Sequence, residues 1–216
     1  SEQSIYKNTD AAEKRKGFSI LSNVSWLIND NQTLDVDLTH RSDDRKAVWN
    51  NYGLSFPTNI QEMDRTSVGL TYSANWNDIN SRLRYYYENV DLMDNSEIIT
   101  NLYKKTGDIQ QTNHTFDAQV SGHIGEQHLV TGGAEFRKTE LEHNQNLNGS
   151  ASVNQTAFYL QDEWKLDRLS LTFAGRFDDY DSFGSEFSPR FYSVYQVTDQ
   201  FNFKGGIGKS FKAPSL

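Results

Sequence analysis

The residues predict an all-β fold, an antiparallel up-and-down meander of about ten strands forming the wall of a transmembrane barrel. Three observations carry this. Apolar and polar side chains alternate with period two along most of the chain. The connections alternate between short polar turns and long segments, as in barrels with brief turns at one membrane face and extended loops at the other. Aromatics are abundant, with 11 Tyr, 13 Phe and 4 Trp, yet no apolar run reaches the length of a membrane helix.

The first predicted strand is Gly17–Ile28, with Phe18, Ile20, Val24, Trp26 and Ile28 on one face. The turn Asn29-Asp30-Asn31-Gln32 leads to the second. There Leu34, Val36 and Leu38 alternate with Asp35, Asp37 and Thr39, which suits apolar groups facing lipid and charges facing a wet lumen. Residues 42–63 carry Asn50, Asn51, Gly53, Pro57 and Asn59 without a sustained period, and read as a long loop. The third strand sets Val68, Leu70, Tyr72, Ala74 and Trp76 against small polar residues. It turns at Asn77-Asp78 into the fourth, with Ile79, Leu83, Tyr85 and Tyr87 on one face.

A second long segment covers about 89–109. The fifth strand, Thr112–Ile124, turns at Gly125-Glu126-Gln127 into the sixth, His128–Lys138. Residues 140–152, rich in Asn and Gly, read as a third loop. The seventh strand, Val153–Leu166, turns at Asp167-Arg168 into the eighth, Leu169–Asp178. A shorter loop, 179–186, precedes a last hairpin turned at Val197–Gln200. Trp26, Trp76 and Trp164 each fall beside a short turn, the height of an interfacial aromatic girdle.

Composition excludes several classes. The net charge is −8, with no basic face for nucleic acid. There is no Cys, hence no disulfide framework or thiolate metal site. The mean hydropathy of −0.74 is compatible with a barrel, whose strands are amphipathic rather than apolar. Ser1–Lys16 is polar and charged, as expected of a secreted chain seen without its leader.

The segment Phe187–Leu216 contains Ser188-Pro189-Arg190, a hairpin, and a Gly-rich strand closing on Phe211-Lys212-Ala213-Pro214. It resembles the middle of the barrel in TonB-dependent outer-membrane receptors. His128–Phe136, Phe158–Trp164 and Gly175–Asp178 are similar to strands of the colicin I receptor and its catecholate siderophore relatives. The vitamin B12 transporter and several haem receptors share most of these strand motifs. The resemblance implies that residues 1–216 form one partial barrel domain of a protein with about 22 strands and a plug. The plug is expected to be absent here, and this piece alone is not expected to transport.

The resemblance further implies a Gram-negative outer-membrane location and ferric siderophore as transported ligand, with no resident cofactor and no enzymatic activity. It implies the TonB energy-coupling complex as a partner through the plug region, membrane lipid around the wall, and a colicin as a further user. Two other classes fit the residues: a self-contained small barrel acting as adhesin or hydrolase, and a soluble β-sandwich binding module. A barrel enzyme closes on itself. A sandwich has a continuous apolar core. A partial barrel leaves two unpaired edges that invite edge-to-edge association.

Candidate ligand residues sit in the first two long segments. Arg45, Lys46, Trp49 and Tyr52 lie in one, and Tyr103, Lys104 and Lys105 in the other. Cations beside aromatics suit an anionic iron–catecholate; the plainer reading is a solvated loop. The five His (His40, His114, His123, His128, His143) show no metal-ligand spacing. Asp178, Asp179, Asp181 and Glu186 depart from a calcium-loop pattern and read as a solvated acidic loop. Gly205–Ser210 lacks the first Gly of a phosphate loop, Phe203 standing in its place. Its small residues are expected to admit a close neighbour such as a plug.

Overall fold

The computed structural model describes residues 3–6, 9–51, 54–55, 58–97, 104–144 and 149–211, with side chains for 14–46, 60–94, 107–144 and 149–211. All its regular elements are strands. These are β1 (Gln3–Tyr6), β2 (Thr9–Asn29), β3 (Gln32–Asn51), β4 (Leu54–Ser55), β5 (Thr58–Trp76), β6 (Ile79–Glu97), β7 (Lys104–Ile124), β8 (His128–His143), β9 (Ser150–Leu166), β10 (Leu169–Tyr180), β11 (Gly184–Thr198) and β12 (Phe201–Gly208). They form one antiparallel sheet in chain order, with β4 paired only to β3. Apart from the short β1 and β4, this is the expected ten-strand meander. Among the described residues the sheet does not close: β1 and β12 are its two edges.

Turn chemistry explains the short connections. Asn77 takes φ 51° and Gly125 φ 66°, the left-handed conformations that tight hairpins require and that Asn and Gly tolerate. The strands are longer than the periodicity indicated. Much of 42–63 and 89–109 is strand rather than loop. At the third and fourth long connections, β8 runs to His143, β9 starts at Ser150, β10 ends at Tyr180 and β11 starts at Gly184.

The reason is the height of the membrane. A strand of 21 residues such as β7 runs about 70 Å and rises about 50 Å when tilted, twice the roughly 25 Å apolar band. Above that band both faces meet water, so the period in hydrophobicity disappears while the ladder continues.

The register lines up the outward face across the sheet. Val24, Val36, Leu70, Tyr85, Phe116 and Phe136 form one row. At the short-turn end, Trp26 is 61 % and Trp76 53 % exposed on this face, the girdle position. At the upper margin the row turns polar: His40 Nδ1 meets Thr66 Oγ1 at 3.0 Å, and Thr112 Oγ1 donates to Asn89 Oδ1 at 3.1 Å.

A single sheet has almost no interior. Among the described residues Ala74 and Ala157 are the only buried apolar ones. Many large apolar groups stand on the outward face instead, Phe158 and Leu160 among them. This overturns the sandwich alternative, which needs a second layer and a core. Leu21 and Leu27 break the alternation of β2, standing exposed on the inner face; no described residue covers them.

Two inward-facing glycines are set by close approach. A Cβ on Gly133 would fall 2.3 Å from the ring of Tyr159, its cross-strand partner, and 2.6 Å from the Ala118 carbonyl oxygen. Gly206 is covered likewise by Tyr192, 2.7 Å from a Cβ there. The neighbour expected at the Gly-rich strand is therefore, at Gly206, an aromatic ring of β11 itself. Gly205 has open space.

Gly133→Ala in the full-length protein is expected to cost at least about 1 kcal/mol by overpacking. Gly205→Ala should stay within about 0.5 kcal/mol of wild type. Urea midpoints of protein folded into vesicles check both values; a neutral Gly133→Ala would show that the ring moves aside freely.

Candidate functional site

The inner face carries the polar chemistry of the chain. Period two puts Asp35, Arg84, Asp117, Glu135 and Asp178 on this face within one cross-strand band. Neighbouring strands pair these charges. Arg82 lies 3.5 Å from Asp117. Asn113 Nδ2 donates to Glu88 at 3.3 Å, and Thr139 Oγ1 donates to Asn113 at 2.9 Å. The best-satisfied part centres on Arg176. Its Nε donates to both oxygens of Asp178 at 2.9 and 3.1 Å, and its Nη2 to Glu135 at 3.2 Å. Gln155 adds a bond to Asp178 at 2.8 Å, and Arg137 a second cation 3.4 Å from Glu135. Of these side chains, Arg82, Asn113, Asp117, Glu135, Arg137 and Gln155 line a concavity of about 880 Å³, while Arg176 and Asp178 border a neighbouring one.

Asp178 was expected in a solvated loop. It is instead buried on the inner face of β10, 7 % exposed, where Gln155 and Arg176 bond to it, and the strand continues past it to Tyr180. Asp181 lies in the turn that follows. Hydrogen bonds from Ser182, and then from Asn154, hold its carboxyl below the usual carboxylate range.

Above the apolar band, β2, β3 and β5 present Arg15, Arg41, Arg45 and Arg65 on the inner face. Asp43 lies among them, 7 % exposed. Its carboxylate is bonded to Arg41 Nε and lies 3.4 Å from Arg15. The bond from Arg41 is the main reason its carboxyl is held below the usual carboxylate pKa range, against the effect of burial. Arg65 reaches Glu88 at 3.8 Å. Asp94 faces the same side in the row of Arg15 and Arg45, so four arginines and three acids share this patch.

The structure places Arg45 and Lys46 on β3, exposed and paired in register with Arg15 and Lys14 of β2. It therefore corrects their assignment to a loop. Trp49 also lies on β3, and Lys104 and Lys105 open β7 opposite Glu97 and Ser96; the side chains of these three are outside the described residues, as are Tyr52 and Tyr103 altogether. Arg45–Lys46 and Lys104–Lys105 come to the same end of the sheet, with β5 and β6 between them. Arg15, Arg41 and Arg65 went unsingled because they lie in separate strands, far apart in sequence. The signal available was parity: each falls on the same face as the Asp35–Asp37 series.

The histidines are dispersed. His114 Nδ1 meets the Tyr85 hydroxyl at 2.9 Å. His128 contacts Asp162 and stacks on Trp164. Among the described residues no three His, Cys, Asp or Glu converge as metal ligands.

Comparison with known proteins gives a consistent result. An iron-regulated outer membrane virulence protein of Vibrio cholerae serotype O1 is 27 % identical over 214 residues, covering 92 % of this chain and 30 % of that protein. A probable TonB-dependent siderophore receptor, PirA of Acinetobacter baumannii, is 36 % identical over 59 residues, 27 % of this chain and 8 % of that protein. Among solved structures, the siderophore receptor PirA of Pseudomonas aeruginosa superposes with TM-score 0.78 at 19 % identity, over 100 % of this chain and 39 % of that one. A mutant of the ferric enterobactin receptor PfeA of Pseudomonas aeruginosa gives 0.79 at 18 %, over 94 % and 34 %.

The chain thus spans about 30 % of the length of the curated relatives it matches over most of its own length. Their names place them in the outer membrane, and the related family is one of receptors and transporters. A family model described as "TonB dependent receptor-like, beta-barrel" matches residues 6–216, and the chain belongs to that family of outer-membrane barrels.

Proposed function

We propose that this chain is the ligand-facing part of a receptor that imports ferric siderophore, of catecholate type, with energy from the TonB complex. On this reading it supplies a little under half of a larger barrel whose plug lies elsewhere in the whole protein. The observation that carries the reading is the cluster of Arg15, Arg41, Arg45 and Arg65 on the inner face above the apolar band. An anionic iron complex entering from outside meets these cations before the membrane-spanning lumen. Arginine is suited to it, because its fork of donors matches flat oxygen-rich anions. The names of the relatives, siderophore receptors and a ferric enterobactin receptor, support the same class.

The test is growth under iron limitation. A strain deleted for the full-length gene is given it back and fed a panel of siderophores. Catecholate use is expected to return with the gene, and to fall roughly tenfold in uptake rate when Arg15 and Arg45 are both changed to Ala. Restoration of no siderophore would defeat the import reading. Full uptake in the double variant would remove these arginines from it.

A further inference from the structure

Asp162 lies on the outward, lipid-facing side of β9, in the row of Val130 and Phe173. It stands four residues before Leu166, the end of the strand, which is about 13 Å along the strand and about 10 Å into the membrane. A carboxylate at that depth is costly and marks a functional site unless fully partnered. It has one described side-chain partner. His128 Nδ1 lies 2.9 and 3.1 Å from its two oxygens and supplies one N–H, whereas a carboxylate has room for about four hydrogen bonds. The His128 ring is stacked on Trp164 at 5.3 Å and 17°. That contact holds the imidazole in place and leaves the remaining acceptor positions of Asp162 open.

Those positions face a groove. Across β9 to β12 the outward face has a depression of about 840 Å³, walled by Leu160, Phe173, Phe187, Phe191 and Ile207 and shallow at Gly175. Asp162 lies toward its short-turn end. Lys209, toward the other end, is already bonded to Glu186. The groove thus joins one under-partnered carboxylate, at the boundary between headgroups and apolar band, to an apolar trough leading toward the membrane centre.

We propose that this groove binds a phospholipid of the periplasmic leaflet whose headgroup ends in a primary ammonium. The ammonium docks on Asp162 beside His128, and an acyl chain lies along the trough. Charge complementarity selects this occupant. A primary ammonium brings a positive charge and three N–H donors. A choline headgroup brings the charge without donors. A glycerol headgroup brings donors on a net negative lipid that the carboxylate repels. The inference rests on the outer-membrane placement of the chain and is independent of which ligand the receptor imports.

The full-length protein is purified in mild detergent and titrated with phosphatidylethanolamine, phosphatidylcholine or phosphatidylglycerol of identical acyl chains. Bound lipid is counted by native mass spectrometry. Phosphatidylethanolamine is expected to be retained roughly tenfold more strongly than the other two. Asp162→Asn should bring its retention down to theirs while leaving theirs unchanged. An unchanged preference in Asp162→Asn overturns the site. So does equal retention of the three lipids by wild type, a comparison that decides the matter alone if the variant does not assemble. A dimer of the protein that forms as phosphatidylethanolamine is lost would make a second copy the occupant and overturn the proposal.

Discussion

Leu83→Arg is expected to destabilise the membrane-inserted protein by about 2–4 kcal/mol. Leu83 is 46 % exposed on the outward face of β6, in register with Tyr72 and Ala118. It is the third outward position of five between Ile79 and the polar row at Asn89, so it sits near the bilayer midplane. An arginine there must snorkel or thin the bilayer. Thr71→Arg provides the control at nearly the same height. Thr71 is paired in register with Asp35 and Arg84 on the inner face, where water and an aspartate receive a cation, and its cost is expected below about 1 kcal/mol. Urea midpoints of the full-length protein refolded into vesicles give both numbers. Equal costs at the two positions would mean that both faces meet the same solvent, and the membrane reading of the sheet would fail.

The face assignment used in that comparison was legible in the sequence, because alternation of Leu34, Val36 and Leu38 with Asp35 and Asp37 needs only local information. The hairpins were legible too, from Asn77-Asp78 and Gly125, whose residues fit left-handed turns. Strand length was not. Period two is a signal of asymmetric solvent, and it ends where β3 at Ser42 and β6 at Asn89 rise out of the membrane. Residues 42–51 and 89–97 continue the ladder with no hydrophobic signature to show it. The candidate cations divided on the same ground. Arg45 was visible beside Trp49 in sequence, whereas its neighbours Arg15 and Arg65 are brought to it only by the register of β2 and β5. The ring of Tyr192 over Gly206 was also a register effect, so the Gly-rich run showed that something approached closely but not what.

Register also decides the second large effect, which is the loss of Arg176. Asp178 and Glu135 sit on strands separated by β9, and Arg176 bridges them at 2.9 and 3.2 Å. Its side chain is 34 % exposed, but those of the two acids are only 10 % and 17 % exposed. Arg176→Ala leaves Asp178 with Gln155 and Glu135 with Arg137. Breaking a fully buried pair costs about 3–5 kcal/mol; discounting for the exposure of the guanidinium gives roughly 2–3 kcal/mol.

The charge left behind is the larger part of that cost. Adding Asp178→Asn to Arg176→Ala should therefore recover about half of it, because a neutral amide in place of the carboxylate removes the stranded charge. Coupling between the two sites in the double-mutant cycle is expected to exceed about 1 kcal/mol. Arg176→Lys should recover less than full stability, since one ammonium cannot reproduce the planar fork that meets two carboxylates at once. Urea titration of the four proteins measures the cycle. If Arg176→Ala lies within about 0.5 kcal/mol of wild type, lumen water screens these charges, and the paired inner face gives the wall charge balance without stability.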